Sequence, residues 1–171
     1  MAYTFNVRDS QTSQLWDFGW FDVTRFEVER ALGVPADCAS ILRGFLRNSI
    51  SHRSFCTSPD PWGNAGGLHG PFPAQKLDAG WYRPVSLEDL RHRVATALDD
   101  AEFTTPPSHE QRQPVAAWLD GAQLRGDDVV VLEAPPLPGV RVEWDVWLVF
   151  HEFVCFSPDR KEMTVAVIGY D

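Results

Sequence analysis

His52 and Cys56 stand four residues apart, and His69 follows in a glycine-rich stretch. Imidazole nitrogens and thiolates are zinc donors, and a four-residue step can bring two of them to one helix face. A structural zinc site needs a fourth donor. Cys38, His109 and the carboxylates offer none at a diagnostic spacing, so no metal is expected, and no cofactor. His151 and Cys155 repeat the four-residue step inside a run that reads as strand. In a strand that step spans about 13 Å along one face, too far for a cysteine–histidine nucleophile pair. Cys155 then reads as a small core hydrophobe.

The pair His151-Glu152 interrupts a stretch that is otherwise apolar from Val146 to Phe156. A buried imidazole there needs hydrogen-bond partners whether or not it does chemistry. Period-two alternation places Glu143, Asp145, Trp147 and His151 on one strand face, with Arg141 at its start. On a curved sheet such a set could form a cup for a small ligand, with His151, Asp145 and Glu143 as an acid–base group. No dinucleotide fingerprint, phosphate loop or Gly-x-Ser-x-Gly elbow occurs. Gly66-Gly67-Leu68-His69-Gly70 lacks both a preceding strand and a terminal lysine.

Charge favours a different class of function. The 171 residues carry 15 basic and 24 acidic side chains, a formal net charge of −9. Nucleic-acid binding is not expected, because phosphate affinity requires local positive excess. Residues 1–98 hold ten acidic and ten basic side chains, so the whole excess lies beyond them. Between 99 and 133, eight acids face two bases. This composition suits an inhibitor or immunity-type protein that neutralises a basic protein partner. Asp99, Asp100, Glu102, Asp127 and Asp128 would steer the encounter, and Trp62 and Trp81 would serve as anchors.

These residues must be carried by a fold. With 44% hydrophobic residues, 11 phenylalanines and 7 tryptophans, the chain can build one core without staples. Three cysteines at wide spacing argue against a disulfide scaffold and for a reducing cytoplasm. The opening MAYTFNVRDSQTSQ has neither the basic nor the apolar part of a signal peptide, and no stretch is long enough to cross a bilayer.

Tyr3, Phe5 and Val7 alternate with polar residues as in a strand. Thr24 and Glu27 have capping-box spacing, and Gly33 with Pro35 supplies a stop, which predicts a short helix over 24–32. Cys38, Ile41, Leu42, Phe45 and Leu46 predict a helix over 37–48, with Arg43 and Arg47 on its other side. Residues 57–84, with five glycines and five prolines, read as one long loop. Ser86 and Asp89 open a helix over 86–99, and Pro114 is expected to begin the next. From Asp127 the period becomes two, giving a strand, a proline-stiffened link and a long hairpin that pairs about 141–156 with 161–170. The order predicts a single α+β domain, an antiparallel sheet with helices packed on one face in two layers.

Overall fold

The computed structural model describes residues 2–52, 67–99, 105–121, 129–133 and 149–170. Alternation of buried side chains dictates the architecture. β1 (Tyr3–Trp16) and β2 (Gly19–Arg30) form a long hairpin, and β2 pairs with β8 (Glu162–Tyr170). β8 pairs with β7 (Val149–Phe156), β7 with β6 (Val129–Leu132), and β6 with the edge strand β5 (Tyr82–Val85). All five pairings are antiparallel, in the order β1-β2-β8-β7-β6-β5. The fold is α+β with an antiparallel sheet, and the C-terminal hairpin pairs Phe156 with Met163 at its closed end.

Two apolar clusters lie against the two sides of this sheet. Helices α2 (Leu87–Leu98) and α3 (His109–Gly121) pack together on one face. There Trp118 meets Phe21 and Phe153, at ring-centroid distances of 5.5 and 6.1 Å. The other face receives α1 (Cys38–Leu46), whose Phe45 takes Phe5 and Phe26 edge-on at 5.4 and 5.2 Å. Full burial of one such side chain stabilises the fold by roughly 1.5–3 kcal/mol, and Phe45 with Ile41, Leu42 and Leu46 holds α1 to the sheet. Val165 and Val167 of β8 point to the α1 side, and Ala166 and Ile168 to the other. Burial on both faces explains why β8 reads as continuously apolar.

The helix expected over 24–32 is instead the middle and end of β2. Trp20, Phe26 and Val28 face α1, while Phe21 and Val23 face α2 and α3. With both sides covered, the strand's alternation is masked, and pairing along β1 and β8 overrides the capping-box spacing. The helix expected to begin at Pro114 begins five residues earlier. Ser108 Oγ accepts from the Gln111 N–H, and Gln111 Oε1 accepts from the Ser108 N–H, a reciprocal cap that starts α3 at His109. Pro114 therefore lies inside the helix, where it removes one backbone bond. Of the stretch expected as one long loop, 57–66 lies outside the described residues, and 67–84 is regular structure in part. Leu68–His69 (β3) and Phe72–Pro73 (β4) form a small hairpin, followed by 3₁₀ turns at Ala74–Lys76 and Ala79–Trp81 and then β5. Of the long strand expected to begin near residue 141, positions 141–148 lie outside the described residues.

The helices expected over 37–48 and 86–99 are present as α1 and α2. Asp37 caps α1 by accepting from the Ser40 N–H at 2.8 Å, and bonding to Ser40 holds its carboxyl below the usual range. Ser86 and Asp89 complete the box that opens α2. If α3 starts at His109, Pro114→Ala restores an internal bond and should stabilise the protein by ~1–3 kcal/mol in urea unfolding. Were Pro114 the first helical residue, the substitution would be neutral or destabilising.

Candidate functional site

β7 carries Phe150, Glu152, Val154 and Phe156 toward the α1 face, so strand alternation drives a carboxylate into an apolar layer. Glu152 is fully buried. Its Oε2 lies 2.7 Å from His69 Nε2, and the Tyr82 hydroxyl donates to both oxygens at 3.2 Å. The other ring nitrogen of His69, Nδ1, lies 2.6 Å from the Ser51 carbonyl oxygen. A carbonyl can only accept, so Nδ1 carries a proton. One further proton then lies between Nε2 and Oε2. Whether it rests on nitrogen or oxygen, the pair is neutral as a unit, the arrangement that makes such burial tolerable.

Each partner is delivered by local structure. Asn48 Oδ1 accepts from the Ile50 N–H, shaping the 3₁₀ turn Ser49–Ser51 that aims the Ser51 carbonyl inward. The Ser51 hydroxyl is itself bound to the Asn48 carbonyl oxygen at 2.8 Å. His69 sits at the end of β3, immediately before Gly70, whose φ of +53° suits glycine. A Cβ at Gly70 would come within 2.4 Å of the Phe150 ring, so any larger residue there would force that ring aside. Phe45 meets the His69 ring edge-on at 6.4 Å. Tyr82 begins β5, and its length carries the phenol over β6 to reach β7. Burial first, then the Glu152 carboxylate, push the Tyr82 hydroxyl well above its ordinary range, so it stays a donor.

A second polar group shares this face. Val167 pairs with Asp22 on one side and Glu152 on the other, which places the two carboxylates in one row about 10 Å apart. Asp22 accepts from Thr12 at 2.9 Å and from Thr24 at 3.3 Å, and Ser10 bonds Thr24 at 2.8 Å.

The expected site residues fare differently. His151 is half-buried and points to the side of the sheet opposite Glu152, toward α2 and α3. Glu143 and Asp145 lie outside the described residues, as do Trp62, Asp100, Glu102, Asp127, Asp128 and Cys56. Trp81 is half-buried against the α1-side core, and its backbone N–H donates to the Asp78 carbonyl. Asp99 is exposed and binds Arg112 at 2.6 Å. Cys155 is buried, and burial pushes its thiol up to about 12, in keeping with a core hydrophobe. Of the suggested zinc donors, His52 is half-buried and His69 uses both ring nitrogens within the Glu152 group. Among the described residues no group of three or more His, Cys, Asp and Glu side chains could hold a metal ion.

Sequence reasoning missed Tyr82 and gave Glu152 no role beyond breaking an apolar run. The usable signal was that run itself. A carboxylate between Phe150 and Val154 on one strand face must meet donors from elsewhere in the chain. No protein-family model matches this chain, and neither curated proteins nor solved structures provide a match.

In this geometry the group joins four segments rather than facing a substrate, since His69, Tyr82, Glu152 and Ser51 are all buried. Glu152→Ala would leave His69 and Tyr82 without their acceptor and should cost about 3 kcal/mol or more. Glu152→Gln keeps an oxygen for Tyr82 and offers an N–H to Nε2, so its cost should stay below about 1.5 kcal/mol. Urea unfolding of both variants checks this. Equal losses would contradict the shared-proton arrangement.

Proposed function

We propose that the chain is a cytoplasmic binding protein of the inhibitor or immunity type, neutralising a basic protein partner. The observation that carries this reading is the charge at two helix ends. A helix C-terminus bears roughly half a negative charge and favours cations. Yet α2 is capped by Asp99, α3 has Asp120 in its last turn, and neither last turn holds a basic residue. Both helices belong to the same layer. Carboxylates there oppose the local preference and reinforce the negative potential of the helix ends. Placement against a local rule marks a candidate functional surface, although the Asp99–Arg112 ion pair also ties α2 to α3.

The sequence extends the same pattern. Asp100 and Glu102 follow α2 directly, and Asp127 and Asp128 precede β6. Arg112 offsets Asp99 only in part, because the Asp99 side chain is 60% exposed. A basic partner would be drawn to this layer over about 8 Å at physiological salt. Trp81 packs against the α1-side core, on the face opposite this layer, so the charges carry the test.

Capture on the tagged chain from an extract of its own cells should retain one basic protein at physiological salt. With that protein purified, Asp99→Asn with Asp120→Asn should slow association several-fold and leave dissociation nearly unchanged in stopped-flow measurements. Added salt should shrink the difference. Failure to retain any protein, or an association rate indifferent to both charges and salt, would reject the reading.

A further inference from the structure

A cleft of about 680 Å³ opens between α1, the start of β1 and the segment after β2. The chain has 24 acidic side chains, yet among the described residues no carboxylate lines this cleft. Its polar lining consists of groups that can donate. Arg43 lies on α1 and Arg47, one turn further on, is its C-cap, which sets their Cβ atoms about 6 Å apart on the same side. Neither forms an ion pair among the described residues, as is also true of Arg30 and Arg91, although the Asp37 carboxylate lies within electrostatic reach of Arg43. Asn48 uses its amide oxygen to cap Ile50, leaving its NH₂ as a donor beside the Ser49 hydroxyl.

The remaining wall is apolar. Val34 and Pro35 line it, and the Tyr3 ring lies flush against Gly44, where a Cβ would come within 2.5 Å of the ring. The Tyr3 hydroxyl is occupied, donating to the Pro35 carbonyl at 2.7 Å, so this ring presents hydrocarbon. Both arginines also line a second cavity of about 410 Å³ with His52, Gln75 and the Asp78 carboxylate, so they stand on the ridge between two hollows, of which only the first lacks an acidic lining among the described residues. Two guanidiniums on one edge and an apolar wall opposite form a concave surface with one charged end.

We propose that this cleft binds an organic anion with an apolar body, its acidic head held by Arg43 and Arg47. The site lies on the opposite side of the sheet from the acidic layer of α2 and α3, and it stands independently of any protein partner. Guanidinium pairs favour carboxylate, sulfonate and phosphate heads by bidentate hydrogen bonding. The wall sets the preference for hydrocarbon over a sugar or a peptide.

The test uses two fluorescent probes that share a body, 1-anilinonaphthalene-8-sulfonate and the uncharged N-phenyl-1-naphthylamine. The sulfonate should saturate one site per chain, with NMR shifts confined to α1, the start of β1 and residues 34–35. Arg43→Gln with Arg47→Gln should weaken the sulfonate at least tenfold and leave the uncharged probe unchanged. Arg91→Gln, an exposed change on α2, should alter neither. All three positions are exposed, and circular dichroism will show that the variants fold. Absence of sulfonate binding up to millimolar concentration, equal affinity in the double variant, or shifts located elsewhere would each overturn the proposal.

Discussion

Glu152 has no exposed surface, and a carboxyl group withdrawn from water must either meet donors or lose its charge. Its partners come from segments that are distant in the chain. His69 is 83 residues away and Tyr82 is 70. Ser51, bonded through His69, adds the 3₁₀ turn after α1. Satisfying this one group therefore fixes the β3–β4 hairpin over the sheet, brings the edge strand β5 into place and anchors the end of α1. The glycine at position 70 and the close approach of Phe150 follow from the same requirement. Apolar burial supplies most of the stability of this face, as the Phe45 cluster shows. The polar group adds uniqueness, because any other seating of the hairpin would leave a buried carboxylate unmet.

The two faces of the sheet differ electrically as well as in packing. On one side, α2 and α3 end in carboxylates that oppose their own helix dipoles. On the other, Arg43 of α1 and its C-cap Arg47 stand beside a cleft with no acidic lining among the described residues. Strand alternation separates these surfaces, since β7 and β8 send successive side chains to opposite layers. A chain of net charge −9 thus keeps a local positive edge. Opposite charges sit on opposite faces, and the helices present both without disturbing the central strands.

Much of the fold was legible in the sequence where one signal dominated. The apolar stripe of Ile41, Leu42, Phe45 and Leu46 and the capping box at Ser86 both gave helices close to their observed spans. The C-terminal hairpin followed from alternation and the Ser157-Pro158 turn. β2 was not legible, because Trp20, Phe21, Asp22, Val23 and Thr24 are all buried and a strand covered on both sides loses its period. The start of α3 was hidden because Pro114 outweighed the weaker Ser108–Gln111 cap. For the buried group, no local spacing connects Ser51, His69, Tyr82 and Glu152. Their meeting depends on strand order and on a hairpin lying over the sheet. Glycine and proline content identified that hairpin only as loop.

The central claim is that His69 is locked between a carbonyl and a carboxyl group, and the most direct measurement is ¹H–¹⁵N NMR of its ring. The account predicts an Nδ1–H resonance that is visible, exchanges slowly with water and shows contact with the Ser51 backbone. Glu152→Gln should preserve that slow exchange, because the carbonyl partner is untouched. A ring whose Nδ1 carries no proton, or whose N–H exchanges as fast as that of an exposed histidine, would contradict the account.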